Sequence, residues 1–239
     1  MQRVQLRILA VVCAMATVHT AARAHGQTTL SASLLGAFNE SGSGNGVQQT
    51  PANALGGLVE FRQIKNPFVG YEAAYSYNRA DQTYSETQSF NNPVCGLPCE
   101  GPETLEALES VSNNAHEITG TWVASFRVSH FTPFFLAGGG VRIDVPVSSP
   151  PHDSICPVGS TCTILSSSAS TSAEGVIVYG AGVDWNLFTT HRWKQAPRFG
   201  VRMQYRGNVY KAPALADAFT SIDAFTHTAE PMIGVFFGL

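Results

Sequence analysis

Histidine and acidic residues occur close together at two points of this sequence, and such pairs are a common source of general acid–base chemistry. His116 is followed by Glu117, and His227 precedes Glu230 by three residues. The second pair is the better acid–base candidate. Both pairs, however, fall in segments where apolar and polar residues alternate, and residues an odd number of positions apart in a strand face opposite sides. We therefore expect the members of each pair to point apart, and we predict that the chain is not an enzyme.

Charged residues also lie near the middle of the alternating segments, with acids and bases in rough balance. Lysine is scarce, since only Lys65, Lys194 and Lys211 occur. A solvated surface normally uses lysine freely, whereas arginine–carboxylate pairs suit a confined space in which charges have lost water. The predicted lumen charge network comprises Glu60, Glu72, Glu117, Arg127, Arg142, Asp144, Glu174, Asp184, Arg198, Arg202, Arg206 and Glu230.

The first 24 residues have the pattern of a secretory signal peptide. Arg3 and Arg7 precede an apolar stretch over residues 8–18, and the segment 22–24 reads Ala-Arg-Ala, which fits a cleavage site. The alternative is an uncleaved anchor helix, although the stretch is short for one. We predict a signal peptide at residues 1–24 and a single mature domain at residues 25–239.

Four cysteines remain after this cleavage: Cys95, Cys99, Cys156 and Cys162. An even number of cysteines in an exported chain predicts disulfides, because export passes through an oxidising compartment. Local pairing within 95–99 and within 156–162 is one of three connectivities. A zinc site is the alternative, but the CxxC spacing is missing and only His152 lies nearby. We expect no cofactor and no metal.

The elements that must position these side chains are strands, because the dominant pattern has a period of two. From Val69 to Asn78 every odd position is apolar or aromatic and every even position is small or polar. Eight segments show such alternation, each near the length that crosses a bilayer at a tilt. They are Thr29 to Phe38, Leu55 to Arg62, Val69 to Asn78, Glu117 to Arg127, Phe135 to Asp144, Glu174 to Trp185, Arg198 to Arg206 and Glu230 to Leu239.

Long and short connections alternate between these segments, as in a membrane meander with long outer loops and short periplasmic turns. The long ones are Asn39 to Asn53, Arg79 to Asn113, Pro146 to Thr171 and Gly207 to Phe225. Within the second, Glu100, Glu103, Glu106 and Glu109 are spaced by three, which indicates either an acidic helical turn or a solvated loop. An even strand number places both termini on the periplasmic side.

Composition excludes several classes. Charged residues make up 13% of the chain, the net charge is -3, and no basic run is present, which argues against a nucleic-acid partner. No segment after residue 24 reaches 18 consecutive apolar residues, so no transmembrane helix is expected there. A soluble eight-stranded sandwich or lipocalin-like barrel is the alternative, with its apolar face turned inward instead of toward lipid.

The last alternating segment is the most specific feature. Ile233, Val235, Phe237 and Leu239 alternate up to the final residue, like the β-signal of outer-membrane proteins, although such signals usually end in Phe. Together with the signal peptide, eight strands and alternating loops, it resembles the OmpA-like and OmpX-like outer-membrane β-barrel family over residues 27–239. We expect no peptidoglycan-binding domain. The resemblance implies an all-β, eight-stranded antiparallel up-and-down transmembrane β-barrel in the bacterial outer membrane.

For function, we expect a structural or surface-interaction role, such as envelope integrity, adhesion or surface protection through the outer loops, with a lumen plugged by salt bridges. The alternative is a narrow porin-like channel for small solutes, and a membrane-embedded lipid-modifying enzyme is the less favoured third reading. The expected partners are outer-membrane lipid, the barrel-assembly machinery during biogenesis, and an extracellular ligand of unknown identity.

Overall fold

A computed structural model describes residues 27–66, 68–90, 103–126, 128–147, 152–157, 163–166, 169–187, 199–213, 215 and 224–239. The predicted signal peptide, Cys95, Cys99, Cys162, Arg127 and Arg198 lie outside these residues, so the predictions on them stay predictions. Regular structure in the described ranges consists of strands. None of these residues forms a helix of the length and apolarity that crossing a membrane requires.

Twelve strands occur in the described part of the chain. They are β1 (Gln27–Asn39), β2 (Gly42–Gly44), β3 (Val47–Pro51), β4 (Ala54–Asn66), β5 (Val69–Phe90), β6 (Glu103–Ser125), β7 (Phe131–Pro146), β8 (His152–Pro157), β9 (Thr163–Ser166), β10 (Ser172–Asn186), β11 (Phe199–Lys211) and β12 (Phe225–Gly238).

Eight of these strands close into a barrel. In spatial order they are β1, β4, β5, β6, β7, β10, β11 and β12, and each is antiparallel to its neighbours. The ring closes where β12 returns to β1, with Leu34 opposite Ile233. Because every wall strand has two partners, the wall has no free edge. The predicted eight-stranded antiparallel up-and-down architecture is confirmed.

The barrel wall buries polar side chains and exposes apolar side chains, which is the reverse of the pattern in a soluble protein. On β1, Ser31 and Ser33 are buried while Leu30 and Leu34 are exposed. The alternation that predicted the strands therefore also sorts polar side chains inward and apolar side chains outward.

The chain termini lie at the end of the barrel that carries the short turns. Gln27 pairs with Ile64 and Thr29 pairs with Gly238, so the start of β1 and the end of β12 are adjacent. Between β6 and β7 the chain reverses within a few residues, and Ser129 adopts a φ of 58° there. We call this the inner end of the barrel, and the opposite end the outer end.

At the outer end, two of the predicted long loops contain further strands. The connection between β1 and β4 forms the hairpin β2–β3, in which Asn45 and Gly46 have φ values of 53° and 82°. An Asn-Gly pair with two positive φ angles is the usual two-residue hairpin turn. The connection between β7 and β10 forms β8 and β9, which pair antiparallel with each other.

The prediction of a loop from Arg79 to Asn113 is wrong over most of this segment. β5 continues to Phe90 and β6 begins at Glu103, and the two remain paired throughout. The alternation persists here, since Ala80, Gln82 and Tyr84 are buried on one side. Glu103, Glu106 and Glu109 therefore belong to a strand and not to a helical turn, and Glu100 lies outside the described residues.

Beyond the barrel, the extensions of β5 and β6 continue the same sheet together with four short strands, and we call this part the outer sheet. Its strand order is β2-β3-β5-β6-β8-β9, where β3 pairs with β5 and β8 pairs with β6. Only the upper parts of β5 and β6 belong to it, because their lower parts form the barrel wall. The outer end thus carries ordered strands as well as loops.

Candidate functional site: the lumen and the outer rim

The lumen near the inner end is filled by five paired charges, which we call the inner cluster: Arg62, Arg202, Glu60, Glu72 and Asp184. Arg202 makes a two-pronged contact with Asp184, at 2.7 Å from Nε and 2.9 Å from Nη2, and its Nη1 lies 2.9 Å from Glu60. Arg62 donates to Glu72 from Nε at 2.7 Å. Such charge-assisted contacts are the strong class of hydrogen bond.

These pairs are joined into one network. Ser31 accepts from Arg202 at 2.8 Å and donates to Glu60 at 2.6 Å. Arg62 Nη1 lies 3.6 Å from Asp184, which links the two arginines through one carboxylate. All three acids of the inner cluster therefore contact at least one guanidinium group.

Aromatic rings support the guanidinium groups of this cluster from inside the lumen. Arg62 lies 3.9 Å from the centroid of the Phe134 ring, and Arg202 lies 5.6 Å from that of Phe236. Glycines make room for both rings: a Cβ at Gly182 would approach Phe134 to 2.5 Å, and one at Gly200 would approach Phe236 equally closely. Rings and charges together fill the space between the walls.

The lumen toward the outer end holds a second set of charges, the outer cluster: Arg142, Arg206, Glu117, Asp144 and Glu230. Arg142 contacts Asp144 at 3.0 Å from Nε and 3.1 Å from Nη2. Its guanidinium lies 4.3 Å from the centroid of the Tyr210 ring. Arg206 Nη2 donates to Glu117 at 3.0 Å. Two arginines and three acids are again enclosed together.

Pairing in the outer cluster is less complete. Glu230 lies directly across from Arg206 on the neighbouring strand and is fully buried, yet neither of its oxygens accepts a hydrogen bond from a described residue. Nε and Nη1 of Arg206 and Oδ1 of Asn208 are likewise without partners in the described part of the chain. Asn208 donates its amide to Glu117 at 3.2 Å.

Nine of the twelve predicted network residues are buried in the lumen. Glu174 is half-buried and accepts from Ser172 at 3.2 Å, while Arg127 and Arg198 lie outside the described residues. The buried nine are Glu60, Glu72, Glu117, Arg142, Asp144, Asp184, Arg202, Arg206 and Glu230. Arg62 was left out of the predicted network, although the alternation of β4 places it on the same face as Glu60.

Apolar side chains close the lumen at its outer mouth, in what we call the outer cap. Val47, Tyr84, Val111, Ala212 and Leu215 form one buried cluster, and Leu215 has no exposed surface. The Tyr84 hydroxyl donates to the Pro213 carbonyl at 2.7 Å. The segment after β11 is thereby held across the opening, a feature that sequence alternation does not reveal.

The histidine–acid pairs of the sequence are split by the wall. Glu117 and Glu230 point into the lumen, whereas His116 and His227 lie outside and contact tyrosines. No group of three histidine, cysteine, aspartate or glutamate residues suited to hold a metal occurs among the described residues. Cys156 lies in β8, and the disulfide prediction is left untested.

The outer surface of the wall decides what surrounds the barrel. Leu34, Leu55 and Ile177 are 74%, 86% and 65% exposed, while Arg62, Arg142, Arg202 and Arg206 are each at most 2% exposed. A water-soluble fold buries the first kind of residue and exposes the second, and only a hydrocarbon exterior reverses this preference. The chain is a transmembrane β-barrel of the outer-membrane type.

Rings gather near the inner end of this barrel. Phe68 contacts Phe126 edge-on at 5.9 Å between centroids, Phe131 stacks on Trp185 at 6.0 Å, and Phe199 lies 4.9 Å from Phe237. Toward the outer end, tyrosines instead pair with histidines. Aromatic girdles at both interfaces are typical of outer-membrane barrels, and the two girdles here differ in polarity.

Comparisons with solved structures find small outer-membrane barrels at low sequence identity and with TM-scores below 0.5. Ail, the attachment invasion locus protein of Yersinia pestis, in complex with the heparin analogue sucrose octasulfate, is 13% identical over 90% of this chain and 99% of its own, with a TM-score of 0.43. The outer membrane protein OprG from Pseudomonas aeruginosa is 12% identical over 90% of this chain and 96% of its own, with a TM-score of 0.42.

The N-terminal β-barrel domain of OprF from Pseudomonas aeruginosa is 14% identical over 90% of this chain and 100% of its own, with a TM-score of 0.34. No family model and no curated protein matches the sequence. The fold assignment rests on the strand register described above. That register gives the eight-stranded up-and-down barrel that the resemblance to the OmpA-like and OmpX-like family predicts.

Proposed function

We propose that this chain is a closed, non-conducting outer-membrane barrel that anchors the outer sheet at the cell surface, in a structural or surface-interaction role. The observation that carries the proposal is the doubly blocked lumen. Paired arginines and carboxylates fill it from within, and the outer cap covers its mouth.

The energetics of the inner cluster favour a fixed plug over a gate. Removing one partner of a buried ion pair typically costs about 3–5 kcal/mol, because the other charge is left buried and alone. Opening a continuous water path would have to separate several such pairs at once. A narrow porin-like channel is accordingly the weaker alternative.

The outer sheet is the part best suited to contact a partner outside the cell. From Arg79 to Phe90, β5 continues for 11 residue steps beyond the wall, which corresponds to about 36 Å along the strand. Because it pairs with β6 over this whole length, the extension is a two-stranded ribbon and not a loop. We therefore propose that an extracellular ligand contacts the outer sheet.

Electrical recording on the purified, refolded barrel tests this function. In planar bilayers we expect no stable conductance steps from the wild-type protein. A double substitution, Glu60→Ala with Arg202→Ala, removes a matched pair of charges from the plug and serves as the comparison. Regular single-channel steps from the wild type would contradict the closed-barrel proposal and favour the channel.

We also propose that the chain has no catalytic activity. The best arrangement for acid–base chemistry is His227, which lies 3.0 Å from the Tyr179 hydroxyl and 3.6 Å from Glu40. The phenol hydroxyl of a tyrosine is a weak nucleophile. Mass spectrometry of outer-membrane lipids from cells with wild-type protein and with His227→Asn should give identical lipid profiles; a lipid species that depends on His227 would contradict the proposal.

Outer-membrane lipid and the barrel-assembly machinery are the proposed partners in the membrane. The candidate β-signal residues Ile233, Val235 and Phe237 all point outward from β12. Replacing Phe237 by Ser should lower the amount of heat-modifiable barrel in the outer membrane severalfold while leaving refolding in detergent intact. Equal loss in both assays would indicate a folding defect and not a defect in assembly.

A further inference from the structure

On the outward face of β5, the apolar part that faces the membrane ends at an exposed arginine, Arg79. Tyr71, Tyr75, Tyr77 and Arg79 follow one another on this face. Ten residue steps separate Arg79 from Val69 at the inner end, and a tilted strand rises about 2.5 Å per residue along the barrel axis. Arg79 therefore lies about 25 Å above Val69, where hydrocarbon gives way to lipid headgroups.

Arg79 has no ion-pair or hydrogen-bond partner among the described residues. This contrasts with Arg62, Arg142, Arg202 and Arg206, all of which are held by carboxylates. The nearest acid along the same face is Asp81, which accepts a hydrogen bond from the Ser112 hydroxyl. The guanidinium of Arg79 is thus available to a group from outside the protein.

A second donor lies directly beside it. Asn114 is the cross-strand partner of Arg79. Its Oδ1 accepts from the Tyr77 hydroxyl at 3.1 Å, which fixes the amide and leaves the NH₂ group as a donor. Tyr77 is itself packed on His116 at 5.2 Å between ring centroids, and His116 contacts the Tyr75 hydroxyl at 2.8 Å. The position of the Asn114 amide is therefore defined by its neighbours, and the strand register places Arg79 directly across from it.

We propose that Arg79 and Asn114 form a binding site for the phosphate group of an outer-leaflet lipid, with Tyr75 and Tyr77 packing along the acyl chain below it. A planar guanidinium next to an amide NH₂ presents several donors and one full positive charge to the same point. Phosphate oxygens accept such donors through two parallel hydrogen bonds. The height of the site selects a lipid over a solute.

The other tyrosine–histidine pair of the outer rim lacks these features. Tyr179 and His227 are stacked at 6.1 Å between ring centroids, and the charged group next to them is Glu40, whose carboxylate lies 3.6 Å from His227. A carboxylate in direct contact with the histidine repels phosphate, whereas Asp81 accepts from Ser112 and makes no such contact with His116 among the described residues. A tyrosine–histidine pair alone therefore does not define the site. The arginine and the oriented amide of the β5–β6 side do.

Titration of the whole refolded barrel in zwitterionic micelles tests the site by nuclear magnetic resonance. The probe is dihexanoyl phosphatidic acid, and the readout is the saturable shift of the backbone amide signals of residues 79 and 114. Dihexanoylglycerol, which lacks the phosphate, and inorganic phosphate are titrated separately. We expect saturable shifts with the phospholipid and shifts at least tenfold weaker with either control ligand.

Two variants and a matched control sharpen the result. Arg79→Gln and Asn114→Asp should each weaken phospholipid binding about tenfold. Lys65→Gln is the control, because Lys65 is a cation next to a tyrosine (5.7 Å from the Tyr71 ring) at the opposite rim; its affinity should stay within twofold of wild type. All three positions lie outside the lumen, so heat-modifiable migration should be unchanged.

Three results would overturn the site. Equal binding of inorganic phosphate would make it a site for a solute anion and not for a lipid. An equal shift with dihexanoylglycerol would reduce it to acyl-chain contact. A loss in Lys65→Gln as large as in Arg79→Gln would mean that any rim cation attracts the phospholipid.

Discussion

The inner and outer clusters contain the same charges and treat them differently. Each encloses two arginines and three carboxylates. In the inner cluster all three acids contact a guanidinium, and Arg202 alone bridges β4, β10 and β11 through Glu60 and Asp184. In the outer cluster, both hydrogen bonds of Arg142 go to Asp144 of its own strand, and Glu230 accepts no hydrogen bond from a described residue.

This difference teaches that the number of buried charges does not measure what they contribute. A bridge between strands that are not neighbours in the ring fixes the wall, and the outer cluster has one, from Arg206 to Glu117. Its other pair, Arg142 with Asp144, lies within one strand and satisfies a charge without joining two strands. Glu230 adds a buried carboxylate that accepts no hydrogen bond from a described residue, so the attraction of Arg206 and Arg142 must offset its loss of water. We therefore expect the inner cluster to stabilise the barrel and the outer cluster to be more tolerant of change.

The largest effect should come from the centre of the inner cluster. Arg202→Gln leaves Glu60 and Asp184 buried without their guanidinium, and we expect a loss of about 3–5 kcal/mol in the free energy of unfolding. Urea-induced unfolding from lipid vesicles, followed by heat-modifiable migration, measures it. A loss below about 1 kcal/mol would show that the inner cluster is not the main support of the wall.

The corresponding change in the outer cluster should cost less. Arg206→Gln removes one ion pair, to Glu117, while Asn208 continues to donate to the same carboxylate. Arg142 also still attracts Glu117 and Glu230, so these carboxylates are not left without a nearby cation. We therefore expect a loss of about 1.5–3 kcal/mol, as for a single hydrogen bond to a charged group. If the loss equalled that of Arg202→Gln in the same urea titration, the contrast between the two clusters would fail.

Much of this fold was predictable because alternation acts on every strand. Glu72 and Arg142 were placed in the lumen by parity alone, since a one-residue change in position moves a side chain to the other face. The outer cap was not predictable in this way. Leu215 follows a segment without alternation, and its burial depends on contacts with β3, β5 and β6 that are distant in sequence.

The boundary between wall and loop was the other point where the sequence was insufficient. The prediction ended β5 at Asn78 because apolar residues become rare beyond it, but the ladder to β6 continues for another 12 residues. Outside the membrane a strand no longer needs an apolar outer face. Asp81 and Thr83 can therefore occupy outward positions while Gln82 and Tyr84 still point inward.

The unpaired acid of the outer cluster offers a test of opposite sign. Glu230→Gln removes a buried negative charge and keeps the size of the side chain. We expect the free energy of unfolding to change by less than about 1 kcal/mol, or the barrel to become slightly more stable. Glu60→Gln is its matched control, and it should destabilise the barrel by about 2–3 kcal/mol because it weakens the contact with Arg202. Similar losses in both variants would mean that Glu230 is paired in the membrane.

The smallest effect is expected at the outer cap, beyond both clusters. Tyr84→Phe removes the hydroxyl that donates to the Pro213 carbonyl but keeps the ring in its apolar cluster. One neutral hydrogen bond contributes about 1 kcal/mol, so global unfolding should change little. Hydrogen exchange of the amides at residues 212 and 215 should nevertheless become several-fold faster, because the segment across the mouth loses a tether. Unchanged exchange there, with the inner cluster intact, would show that apolar packing alone holds the cap, and that the lumen is closed at its two levels by different physical means.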